Sequence, residues 1–350
     1  MNQVLQRLVI IPSIYKGNFI DIDQEINRAY QTYPFPWPNE KQYEHYSQED
    51  ALKTLDFFER ALKEFIERFN LDFDFFKGKV VVDLGAGVGW DALCLARHGA
   101  KFVYAVDNSP TSLDHGKRFA QLLGIKNVNF CQHSLYKLDG MQMQADVIIA
   151  KGVLHHVFDL PRFVKALDHI TKSGTQLLLT HSSYSSVPGF IRYFKNHLAW
   201  AIGGADLEKR IDVGVKLFYG THWQLTDKLA RHRVNDLTGV FYMARNPGQI
   251  MTIFRREGFV ISKVSGRNFM SMYPGLIEHH RRMLEIERNK ALRKLRRLMA
   301  IGLIETFYFL SVHFRLMDDR LGHAYHFFFS NPPHIFYCSK NASKQNFQTR

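Results

Sequence analysis

The run Val81-Val82-Asp83-Leu84-Gly85-Ala86-Gly87-Val88-Gly89 constrains this 350-residue chain more than any other feature. A short apolar stretch bounded by glycines reads as a buried strand, and glycines stand where a backbone turns tightly or a ligand approaches without a Cβ in the way. The same strand–turn–helix rhythm continues downstream, which is the pattern of a doubly wound α/β sheet. Strands are expected at Val80–Leu84, Phe102–Val106, Val128–Cys131, Val147–Ala150, Gln176–Thr180, Phe259–Val264 and His334–Cys338, giving a seven-stranded sheet. Helices are expected after Gly89, from Pro110 to Leu123, near Pro161, and from Asn246-Pro247 to Gly258.

Two segments break the alternation, 183–245 and 267–332. If the sixth strand runs parallel to the others, both leave from the ligand face of the sheet and cap it. The chain then divides into an N-terminal segment and helix (1–77), a core (78–182), a first cap (183–245), the core helix and sixth strand (246–266), a second cap (267–332), and the last strand with its tail (333–350). Upstream of the core, Tyr33-Pro-Phe-Pro-Trp-Pro38 is held out of helix by its prolines. Ser47 and Asp50 have capping-box spacing, and Leu55, Phe58, Leu62, Phe65 and Phe69 define an apolar helix face, read as core.

Glycine-rich turns of this kind serve several cofactors, and two residues discriminate between them. A dinucleotide fingerprint wants a small residue three positions after its second glycine, and Trp90 stands there. Asp83, at the end of the strand, suits a ligand carrying an ammonium group and would repel a pyrophosphate. Asp107 ends the second strand, placed to accept both hydroxyls of a ribose.

With VVDLGAGVGWDALCLARHGA, then VYAVDNSP, then ADVIIAKGVLHHVFDLP in this order, the chain resembles the class I S-adenosylmethionine (SAM)-dependent methyltransferases over about residues 78–182. The resemblance implies a Rossmann-like methyltransferase fold with SAM as cofactor. It implies that Asp83, Gly85 and Gly87 hold the methionine part, that Asp107 holds the ribose, that Ala86 and Asn108 also bind the cofactor, and that the backbone around Lys151 and Gly152 lies near the sulfonium. Where members often carry an aspartate for the adenine amino group, this chain has Cys131-Gln132-His133-Ser134, leaving Ser134 as the acceptor. The aromatic–proline segment resembles an element upstream of the core in some bacterial members, a much less specific match.

Methyl transfer is an in-line displacement, so the protein supplies alignment, exclusion of water and, where needed, proton removal. His155 and His156 follow the fourth strand and are the candidate proton acceptors; the alternative is that they only pack and shape the pocket. A metal site from His155, His156 and Asp159 is set aside, on the argument that adjacent side chains diverge on a helix. Asn331-Pro332-Pro333-His334 has the form of an amino-group site in N-methyltransferases, but it precedes the last strand and lacks the aromatic, so coincidence is preferred. FYGTHW (218–223) and HAYHFFF (323–329) supply aromatics for a substrate pocket or for the cores of the caps.

Lys plus Arg (46) exceeds Asp plus Glu (33), and the excess is localised. Eight basic residues between Arg281 and Arg297 stand against Glu285 and Glu287, leaving a net of six positive charges. In order of weight, this run is a solvated helix face, a contact with anionic membrane or a lipid substrate, or a contact with RNA phosphates. Cys94, Cys131 and Cys338 are too few and scattered for a disulfide framework, and no cleavage-site pattern or spanning apolar helix is visible. The expectation is a cytoplasmic enzyme, with peripheral membrane contact in reserve, methylating a small, partly apolar metabolite. The rivals are an RNA or protein modifier recruited through the basic helix, and a SAM-binding module that no longer transfers.

Overall fold

The chain's computed structural model describes residues 22–33, 43–182, 187–218, 227–241, 243, 245, 247–265, 291 and 333–340. Outside them lie most of the aromatic–proline segment, the basic run other than Ala291, HAYHFFF, Asn331-Pro332 and all of FYGTHW but Phe218. Helix α1 spans Ile22–Thr32. Ser47 caps α2 (Gln48–Glu67): its hydroxyl accepts from Asp50 N at 3.2 Å while Asp50 Oδ2 accepts from Ser47 N at 2.8 Å, a closed capping box.

The alternation then unfolds as β1 (Val80–Leu84), α3 (Trp90–Arg97), β2 (Phe102–Asp107), α4 (Pro110–Leu123), β3 (Val128–Gln132), β4 (Ala145–Ala150), α5 (Leu160–Ala166) and β5 (Thr171–Ser182). β5 starts at Thr171 rather than near Gln176, because Thr171 pairs with Ala145 across a register shift in the β4–β5 ladder. Its polar, glycine-bearing start hides that pairing from a search for apolar runs. Helices α6 (Val187–Gly203), α7 (Leu207–Phe218), α8 (Asp227–Val234) and a π-helical turn, Asn235–Gly239, follow. The chain returns through α9 (Pro247–Arg256), β6 (Phe259–Ser265) and β7 (Pro333–Lys340).

Strand order is β3-β2-β1-β4-β5-β7-β6. β1 to β5 are mutually parallel, and β7 is antiparallel to both neighbours, so β6 points with the first five. Alternate residues of β1 face opposite layers, as strand geometry requires. Val81 packs with α2, α3 and α4, whereas Val82 and Leu84 pack with α5 and α9. A third cluster joins Ala29 of α1 to Leu207 and Ile211 of α7, Val234 and Val240. The N-terminal helix and the first insertion therefore share a small core of their own. No helix among the described residues is long and apolar enough to cross a membrane.

Candidate functional site

At the carboxyl ends of β1, β2 and β4 the chain encloses a cavity of about 260 Å³. The described structure brings all the residues singled out in the sequence to it: Asp83, Gly85, Ala86 and Gly87 from the first turn, Asp107 and Asn108 from the second, Ser134 after β3, and Lys151, Gly152, His155 and His156 after β4. Gly85 sits at φ +68°, and a Cβ there would lie 2.5 Å from Val153 Cγ2, so only glycine lets the two turns close on each other. Gly152, also at positive φ, donates its N–H to Thr180 Oγ1 at 2.5 Å and fixes the turn after β4.

Two carboxylates dominate the electrostatics. Asp83 is 3% exposed, and burial holds its pKa well above the ordinary carboxylate range; Asp91 pushes the same way and Lys151 opposes. Lys151 Nζ is paired with Asp91 Oδ2 at 2.7 Å and so does not neutralise Asp83 alone. Burial also raises Asp107, while the N–H groups of Ser109 and Gly87, each 2.8 Å from one of its oxygens, pull it back. Those amides anchor both Asp107 oxygens and leave lone pairs for further donors. An ammonium beside Asp83, two hydroxyls beside Asp107 and a backbone cradle with no Cβ at Gly85 are what SAM requires, and these residues fit it. Trp90, which argued against a dinucleotide, is buried between Phe58 and Phe119, its centroid 5.8 Å and 4.6 Å from theirs.

The far end of the cavity was less legible. Residues 151–159 form turns, not a helix, so the argument that the two histidines diverge fails: their ring centroids are 4.0 Å apart. Asp159 is not their neighbour in function; it caps α5, accepting from Arg162 N at 3.1 Å. The carboxylate beside them is Asp236, in the π-helical turn, whose Oδ1 lies 3.1 Å from His156 Nε2. Tyr30 of α1 completes the group, its hydroxyl 3.0 Å from Asp236 Oδ1 and 3.2 Å from His156 Nε2. Neither residue lies in the glycine-loop framework, so no spacing rule could have found them.

The turn bearing the histidines is fastened by Phe241, Met243 and Arg245. Phe241 O lies 3.3 Å from His156 Nδ1, and Met243 N donates to His155 O at 2.6 Å. Arg245 donates to Leu154 O at 3.4 Å and Phe158 O at 2.6 Å. Burial lowers the Arg245 pKa to about 10, so a desolvated guanidinium is committed to this one turn.

Comparison with known proteins gives the family. The profile of a methyltransferase domain family matches residues 75–256. The chain is 31% identical over 98 residues to a ubiquinone biosynthesis O-methyltransferase of Methylocella silvestris, covering 28% of this chain and 38% of that protein. It is 28% identical over 173 residues to the Coxiella burnetii protein of the same name, covering 47% of this chain and 68% of the relative. Among solved structures, a SAM-dependent methyltransferase from Mesorhizobium loti superposes with a TM-score of 0.42 at 17% identity, over 85% of this chain and 100% of that one. The chain belongs to the methyltransferase-domain family, with S-adenosylmethionine as its cofactor.

Proposed function

We propose that the chain transfers a methyl group from SAM to a hydroxyl of a small, partly apolar acceptor. The observation that carries this is one cavity with a carboxylate-lined cofactor end and a histidine-lined end facing it across Lys151 and Gly152. When bound, SAM supplies an activated methyl group on a sulfonium. Asp83 holds the ammonium and Asp107 the ribose, while Ala86, Asn108 and Ser134 border the rest of the cofactor. Val153 and Val157 add apolar wall to the cavity. The His155–His156–Asp236–Tyr30 cluster faces the hydroxyl and promotes the loss of its proton. An oxygen acceptor is supported by the names of the Methylocella and Coxiella relatives, and a small one by the modest volume of the cavity.

Calorimetry with SAM, with NAD as control, tests the cofactor end. SAM should bind, and Asp107→Ala should weaken it by at least about 1.5 kcal/mol, the low end for one charge-assisted hydrogen bond. Methyl-labelled SAM offered with hydroxylated aromatic acceptors, total RNA and protein tests the other end. Transfer to a small hydroxyl compound is expected. Binding of NAD in place of SAM, or label passing only to RNA or protein, would overturn the reading.

A further inference from the structure

We propose that the acceptor end of the cavity is a divalent transition-metal site, with His155, His156 and Asp236 as protein ligands. This rests on the functional reading above and names the device that would orient and acidify the acceptor hydroxyl.

The first argument is the hydrogen-bond ledger of His156. Phe241 O can only accept, so Nδ1 carries the hydrogen of that 3.3 Å contact. In the neutral ring Nε2 then presents a lone pair, and it faces Asp236 Oδ1, an acceptor when ionised, at 3.1 Å. The Tyr30 hydroxyl, 3.0 Å from Asp236 Oδ1 and 3.2 Å from His156 Nε2, has one hydrogen to offer the two of them. A cation held between that nitrogen and that oxygen would be bound by both. A nitrogen and an oxygen 3.1 Å apart lie slightly inside the roughly 3.3–3.4 Å edge of a tetrahedron built on zinc bonds of about 2.0–2.1 Å.

The second argument is the third ligand. Donor atoms of His155, His156 and Asp236 all lie within 4.8 Å of one another, and the three residues line the same cavity. Two imidazoles and one carboxylate form the borderline donor set of zinc, cobalt, nickel or iron, and three protein ligands leave a position open to the cavity, as in catalytic sites.

The third is the surrounding scaffold. A metal-bound imidazole typically donates its other N–H to a carbonyl, which Phe241 supplies, and a ligating carboxylate is itself hydrogen-bonded, which Tyr30 supplies. Arg245 and Met243 clamp the histidine turn, so both rings are placed before any ligand arrives. A hydroxyl entering the open position would give its proton to solvent. Its oxygen would form the bond to the methyl carbon as the carbon–sulfur bond breaks, leaving its electron pair on sulfur.

The test uses the untagged chain, stripped by chelator and titrated with Co(II) while its visible absorption is followed. One equivalent should bind with new d–d bands, and His155→Gln and Asp236→Asn should each weaken binding by about 100-fold or more. Tyr30→Phe, which removes only an outer partner, should cost about tenfold. SAM calorimetry on each variant confirms folding, and unimpaired SAM binding is expected. No stoichiometric Co(II), or equal affinity in the His155→Gln and Asp236→Asn variants, overturns the metal site in favour of a hydrogen-bonded Tyr30–Asp236–His156 triad. Neither outcome would touch cofactor binding, whose own failure shows as loss of SAM binding by the unsubstituted chain.

Discussion

Asp83 and Asp107 end adjacent parallel strands, and both are buried carboxylates whose pKa values are raised by desolvation. A raised folded-state value means that the folded chain holds these protons longer than the unfolded one. Stability from the two groups is therefore present at acid pH and declines as pH rises through the folded values. SAM reverses part of this, because an ammonium beside Asp83 favours its ionised form. SAM affinity should rise with pH from the ordinary carboxylate range, about 4, toward neutrality. Binding on the acid side should also release a proton, so its apparent enthalpy should vary with the ionisation enthalpy of the buffer. Equal affinity and enthalpy across these conditions would show that Asp83 is already ionised without the cofactor. Asp83 was legible in the sequence because an acid interrupts an apolar strand. Its raised pKa was not, since that depends on burial and on Asp91 arriving from α3.

The central elements were legible for a physical reason: parallel strands covered on both faces are nearly continuous apolar runs, and glycines mark where they stop. β1, β2 and β4 show this plainly. The turn after β4 departs from the helix its sequence suggests because the backbone turns at Gly152, which sits at positive φ. Nor did the sequence reveal α1 as part of the site, because its anchors look like surface charges until folded. Arg210 is fully buried, its guanidinium 3.9 Å from the Trp200 ring centre, and it donates to Gly239 O, Gly204 O and Glu25 Oε2. Asn235 adds bonds to Ala29 O and Tyr33 O. This packing carries Tyr30 to the cavity. Glu25→Gln removes the carboxylate partner of a buried cation, a loss of about 3–5 kcal/mol when both partners are buried. Glu25 keeps 16% side-chain exposure and Arg210 keeps its carbonyls, so about 1–3 kcal/mol is expected here. The variant should melt several degrees lower and be cut faster by protease near α1. An unchanged melt would show that apolar packing alone holds that helix.

At the scale of the whole molecule, the first insertion and α1 border the far end of the cavity, while six of the 13 excess positive charges fall in one short run of the sequence elsewhere. The net of six charges in 281–297 directly precedes Met299–Phe314, a mostly apolar stretch interrupted by Glu305 and His313. A polybasic segment gains about 1 kcal/mol per Lys or Arg at an anionic lipid surface, and that gain decays over about 10 Å at 0.1 M salt. An adjoining apolar segment would add a salt-independent part by entering the headgroup boundary. Co-sedimentation with vesicles rich in anionic lipid should therefore fall steeply as salt rises. It should drop to the level of neutral vesicles when Arg293, Lys294, Arg296 and Arg297 are all replaced by glutamine. RNA has the same electrostatics without an apolar interior, so a single-stranded RNA measured at the same salt separates the two surfaces. Tighter binding to RNA than to vesicles would assign the segment to nucleic acid. Binding to neither at physiological salt would make the run an ordinary solvated surface, the commonest meaning of such a charge cluster.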